Sequence, residues 1–179
     1  ASIASAKASR VASAAVPGPV YIRFGREDVP VVTDEETPFT FGKGEVFGEG
    51  SDVTVIACGV MVYEALKARE TMAGRGVSVR VVNLHTIKPL DAALIERCAR
   101  ETGAIVTAEE HQVNGGLGGA VAEVVGQKLR ALGASRQVLC VTHLPQVAAQ
   151  GHHHFQVSKA VNGASTHSAV QVLDDKARI

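Results

Sequence analysis

The sequence predicts an α/β fold, three layers arranged α/β/α around a mainly parallel sheet, with a C-terminal β-hairpin added. Two observations carry this. Between residues 53 and 107, short β-branched runs alternate with longer runs whose apolar residues recur at helical spacing. Strand–helix–strand–helix–strand order implies right-handed crossovers and a sheet covered on both faces. After Gly151 the pattern becomes strict alternation on either side of Asn162-Gly163, a dipeptide suited to a hairpin turn.

Length and composition bound the rest. A chain of 179 residues suits one α/β domain, or one domain plus extra segments, and 46% hydrophobic residues can build its core. Eighteen basic residues balance eighteen acidic ones, so no global field favours nucleic acid or an anionic membrane. Aromatics are 4% with no Trp, which weakens any base-stacking mode. Cys58, Cys98 and Cys140 are far apart and form no CxxC, the pattern of reduced core thiols in a cytoplasmic protein. No apolar run reaches the roughly 18–20 residues needed to span a bilayer. Residues 1–16 are Ala/Ser-rich, but Lys7 and Arg10 interrupt the run, unlike a secretory signal; they read as a helix remnant or a frayed tail.

Taken in order, Val20 to Phe24 is a short β-prone run. Residues 27–38 are acidic and hold Pro30 and Pro38, so they read as an extended linker. Phe39 to Phe47 reads as a short strand or hairpin. Residues 1–44 thus form a leader and linker, and 45–179 an α/β domain. Val53 to Ala57 is a strand. Val60 to Ala73 is a helix with Val62, Ala65 and Leu66 inward, closed by Gly74 and Gly76. Val77 to Leu84 is the next strand. Asp91 N-caps a second helix whose inner face holds Leu94, Ile95 and Cys98. Ala104 to Thr107 is a third strand, Ala120 to Leu132 a third helix and Gln137 to Thr142 a fourth strand. Phe155 to Val157 and Ser168 to Val172 are the arms of the hairpin.

Several motifs could carry chemistry. Glu109-Glu110-His111 follow the third strand, at the end of a parallel strand where α/β sites sit, and carboxylates beside an imidazole suit acid/base work. Gly115, Gly116, Gly118 and Gly119 precede a helix N-terminus, as in a phosphate cradle. Their spacing is not GxGxxG, and a tight strand-to-helix turn explains them more simply. His152-His153-His154 are adjacent in an extended chain and point in different directions, which makes them poor joint metal ligands. No metal site is expected.

Residues 18–125 resemble the transketolase family, at the end of its pyrimidine-binding domain and through its C-terminal domain. The words are GPVYIRFGREDVPVV, GKGEVFGEGSDVTVIACGVMVYEAL, VSVRVVNLHTIKPLD and TGAIVTAEEHQVNGGLGGAVAEV. They are most similar to split bacterial C-terminal subunits and deoxyxylulose-phosphate synthases. The resemblance implies thiamine diphosphate and Mg²⁺ for the full family, moving a two-carbon ketol unit between phosphorylated sugars. The cofactor-binding and catalytic parts lie outside the matched stretch, so no cofactor is expected on this chain alone. Arg26 occupies the place of a family arginine that grips the sugar phosphate, a role its planar fork suits; a solvated Arg beside Glu27 and Asp28 is the other reading. The resemblance also implies a loop or interface role for Glu109 to His111. Expected partners are a second copy or a thiamine-diphosphate-binding subunit; a membrane is not expected and nucleic acid is disfavoured.

Residues 118–179 resemble a second family, the RecN-type DNA repair ATPases at their C-terminal end, through GGAVAEVVGQKLRALG and SRQVLCVTHLPQVAAQGHHHFQVSK. That resemblance implies a γ-phosphate-sensing role for His143. It needs a Walker A loop and an acidic strand end to hold Mg²⁺, and no GxxxxGK[ST] occurs in the chain. A loop histidine without a ligand is the other reading. The two resemblances meet near 115–126, so the chain looks like a chimera. The expectation is a transketolase-type module with a structural or assembly role, catalytically incomplete alone. The alternatives are a fragment of a RecN-like ATPase head, or a composite chain with no evolved activity. At the join, the strand over 137–142 is expected to fill the sheet slot after the third strand.

Overall fold

The structure, a computed structural model, describes residues 11–25, 29–34, 36–111, 115–135, 137–140, 145–162 and 165–174. Its central element is a four-stranded sheet of β1 (Glu45–Gly48), β2 (Val53–Ala57), β3 (Val79–Asn83) and β4 (Ala104–Ala108), in the order β1-β3-β2-β4. Strands β3, β2 and β4 run parallel, and β1 pairs antiparallel with β3. The expected α/β sandwich is therefore present, with one antiparallel edge strand.

Helices α1 (Met61–Ala73) and α2 (Ala92–Glu101) cover opposite faces. Side chains alternate across a strand. On one face Ala57, Val79 and Val81 pack with Val62 and Ala65 of α1, joined by Val53, Val55 and Leu66. On the other, Thr54 Oγ1 lies 2.9 Å from Thr102 Oγ1 just after α2, and Arg80 Nη1 bonds Glu101 at 2.6 Å. Leu94, Ile95 and Cys98, the inner face read from the sequence, are all buried. Burying a large aliphatic side chain contributes about 1.5–3 kcal/mol, so the two faces together outweigh the single polar contacts between them.

Local signals explain the boundaries. Gly59 has φ 62° and Gly76 φ 75°, left-handed positions that open and close the α1 segment. The Asp91 carboxylate accepts the Leu94 N–H at 3.2 Å, the cap expected from the sequence. At Gly50 a Cβ would stand 2.2 Å from the carbonyl carbon of Val79, so the chain between β1 and β2 passes too close to β3 for any side chain.

Helix α3 (Leu117–Gly133) begins three residues before the expected Ala120, inside the glycine run. A short helix α4 (Pro145–Ala148) follows, then β5 (His154–Asn162) and β6 (Ser165–Leu173) in a separate antiparallel sheet. Asn162 faces Ser165, so two residues connect the arms; both lie outside the described residues. The hairpin expected from alternation is present. Phe155 opposes Val172 and Val157 opposes Val170, and all four are exposed.

Two expected strands differ. Val20 to Phe24 forms no strand, and Tyr21 is 87% exposed. Residues 137–140 of the expected fourth strand also form none, and Leu139 is 85% exposed; 141 and 142 lie outside the described residues. β-propensity measures fit to a half-buried pleated surface and says nothing about whether a partner edge is in reach. By its internal contacts the chain divides into two compact units, Ala1–Val121 and Ala122–Ile179.

Candidate functional site

Parallel strands place their carboxyl ends together, and here that brings up Cys58 after β2, His85 after β3 and Glu109 after β4. Glu109 decides what this end can do. Its Oε2 accepts the Leu117 N–H at 2.7 Å and its Oε1 the Gly118 N–H at 2.8 Å. The carboxylate thus occupies the positive end of α3, satisfying donors that a helix start leaves unpaired. This is why the helix starts early: Glu109 caps it from eight residues away. A Cβ on Gly116 would meet the Glu109 carboxylate at 2.5 Å, so the glycine lets the loop close around that side chain. The tight-turn reading of the glycine run thus has a concrete partner in Glu109.

Cys58 faces the same loop. Burial pushes its thiol up to about 11; Glu109 adds to that and Arg23 opposes it. A thiol so raised stays protonated at neutral pH and is a weak nucleophile. Arg23 donates from Nη1 to the Glu110 carbonyl at 3.0 Å, tying the leading segment to the β4 loop. Both Glu109 oxygens are committed to the helix, which leaves this end suited to holding loops in place.

His85 forms a second cluster. Its ring stacks on Phe39, centroids 4.2 Å apart, and Nδ1 lies 2.9 Å from Thr86 Oγ1. Nε2 is buried without a hydrogen bond, 3.7 Å from Glu45 Oε1. Burial lowers the imidazole below its usual range and raises the Glu45 carboxyl above its own. Glu45 also borders an open groove of about 540 Å³ lined by Asp34, Thr37, Phe47 and Leu66 among others.

Of the residues singled out from sequence, Arg26 and His143 lie outside the described residues. His154 Nε2 lies 3.3 Å from the Gly151 carbonyl oxygen, while the His152 ring lies beside Gly133. Among the described residues, no group of three His, Cys, Asp or Glu side chains is placed to hold a metal ion. Cys58 is half-buried, Cys98 buried and Cys140 exposed, so Cys140 departs from the core-thiol expectation. Sequence reasoning missed Arg23 and His85. His85 was within reach of the rule that singled out Glu109, since it too follows a parallel strand; Arg23 carried no signal beyond its place in the β-prone run Val20 to Phe24.

The family model for the transketolase C-terminal domain matches residues 42–160, which include the whole four-stranded sheet and both helices that cover it. The chain belongs to the transketolase C-terminal domain family. This transketolase C-terminal domain is 49% identical over 110 residues to the 6-deoxy-6-sulfo-D-fructose transketolase subunit of Clostridium sp. (strain MSTE9), covering 62% of this chain and 34% of that protein. The chain therefore spans about a third of the length of that relative. Among solved structures it aligns with a split gene transketolase, an inactive beta4 tetramer, at TM-score 0.68 and 46% identity, over 70% of this chain and 42% of that one. A different relative, the DNA repair protein RecN of Xylella fastidiosa (strain Temecula1), is 61% identical over 67 residues, 37% of this chain and 12% of that protein. No described helix is long and apolar enough to cross a membrane.

Proposed function

We propose that this chain serves as the C-terminal module of a split transketolase-type enzyme, with a structural or assembly role, and is catalytically incomplete alone. The observation that carries the reading is the agreement with a split gene transketolase in both sequence and fold, at 46% identity and TM-score 0.68. The strand-end chemistry supports it. Glu109 is spent on the α3 N-terminus and Cys58 is held protonated, so neither is poised for turnover. The groove beside Glu45 is lined with Asp34 and Glu36, an acidic surface that disfavours a diphosphate. Thiamine diphosphate and Mg²⁺ then belong on a partner chain, where the cofactor would supply the two-carbon transfer chemistry. Arg26 is the position from which this chain would reach a substrate phosphate. Pull-down with the cofactor-binding subunit of a split transketolase tests the reading: stable co-elution is expected, and no affinity overturns it.

A second reading concerns origin. The 61% identity to RecN over 67 residues, and a unit boundary between Val121 and Ala122 that falls inside the 115–126 join, favour a composite of two sources. On that reading the RecN-like segment, with His143, has no nucleotide role here. Melting curves with ATP, and with thiamine diphosphate plus Mg²⁺, should superimpose on the unliganded curve. An upward shift with ATP alone would favour the fragment of an ATPase head instead.

A further inference from the structure

His85 and Glu45 meet where the chain entering the sheet is strapped onto the chain leaving it. Gly42 N–H donates to Thr86 Oγ1 at 3.3 Å, Gly44 N–H donates to Asp91 Oδ2 at 3.2 Å, and Glu45 lies opposite Asn83 in the β1–β3 ladder. Phe39 caps the His85 ring from the same segment. Thr86 Oγ1 already accepts from Gly42, which frees its own O–H to be donated to His85 Nδ1. In that tautomer Nε2 carries the hydrogen and points at Glu45, 3.7 Å away, just beyond bonding distance. The side chains are 12% and 15% exposed, so water does little to screen the pair.

We propose that His85 and Glu45 act as a one-proton switch that tightens the strap between residues 39–45 and 84–91. With Glu45 ionised and His85 neutral, the gap stays open and Nε2 lacks a partner. A proton taken from water adds to Nδ1, whose bond with Thr86 Oγ1 reverses so that the ring now donates; the resulting imidazolium faces a carboxylate, and Nε2–H closes on Glu45 as a charge-assisted bond. The Phe39 face also favours the charged ring. Burial lowers His85 and raises Glu45, which brings their proton affinities closer together. Among the described residues, the other charged groups on the surrounding segments are Lys43 and Asp91, 3.7 Å apart, Lys88, and Asp34 and Glu36, which line the same groove as Glu45. Closing turns Glu45 toward the ring, and the groove loses one negative charge.

The test is an NMR pH titration of the full chain, following the His85 ring carbons and the Glu45 carboxyl carbon, in wild type and E45Q. In wild type the two signals should share one inflection. In E45Q the His85 midpoint should fall by about one pH unit or more, the usual effect of removing an opposite charge at this range. Equal His85 midpoints in the two proteins overturn the proposal. Should E45Q fail to fold, wild type decides alone: separate, independent inflections for His85 and Glu45 overturn it.

Discussion

At the scale of single residues, Glu109 has the most specific task in the molecule. It is a carboxylate whose place at a strand end would suit acid/base work, yet both its oxygens take helix N–H donors. Glu109→Gln keeps the shape and removes the charge, and its amide NH₂ would face an N–H. Urea denaturation should register a loss of about 1–3 kcal/mol; an unchanged midpoint would remove the capping role. Cys58 gives a pH-dependent prediction. Its folded-state affinity for a proton is raised, so the unfolded thiol ionises first as pH rises. The contribution of Cys58 to stability is complete below about pH 9 and is lost as pH climbs toward 11. Cys58→Ala should flatten that part of the stability–pH curve. Thiol labelling at neutral pH separates the cysteines by access: Cys140 should react first, Cys58 slowly and Cys98 only on unfolding.

At the scale of elements, two joints hold the sheet in register. Asp91 caps α2 and also holds the Gly44 N–H and Lys43. Asp91→Ala should cost about 1–2 kcal/mol, the upper range for a cap, because it loosens β1 as well. Gly50 and Gly74 make a useful pair. A Cβ at Gly50 would collide with the Val79 backbone at 2.2 Å, whereas at Gly74 it would meet the Thr71 carbonyl oxygen at an ordinary 3.5 Å. Gly50→Ala should cost about 3 kcal/mol or more. Gly74→Ala, with φ −64° at the helix end, should be neutral or stabilising by a few tenths, about 0.4 kcal/mol. Thermal melts of the two variants side by side check this.

At the scale of the whole molecule, the two units differ in how much they bury. Ala1–Val121 contains the four-stranded sheet with apolar layers on both faces. The hairpin of Ala122–Ile179 is a two-stranded ribbon whose Phe155, Val157, Val170 and Val172 remain exposed. Two strands without a covered face are marginal in water. Backbone amides of β5 and β6 should therefore exchange with solvent well before those of β2 and β3. Hydrogen exchange read by mass spectrometry checks the order, and equal protection would contradict it.

The sequence by itself determined the alternation of β2, α1, β3, α2 and β4, the Asp91 cap, the inner face of α2 and the hairpin about Asn162. Each is written in local periodicity or in one residue's side-chain chemistry. Tertiary structure alone decided the rest. Val20 to Phe24 and residues 137–140 have strand-like composition and no strand, because β-propensity measures fit to a pleated surface and does not by itself supply a pairing partner. Helix α3 starts at Leu117 because Glu109 reaches it across the loop. His85 and Glu45 meet because β1 runs antiparallel to β3. These are contacts between residues distant along the chain, and the free energy of such contacts depends on a geometry that exists only once the sheet has formed.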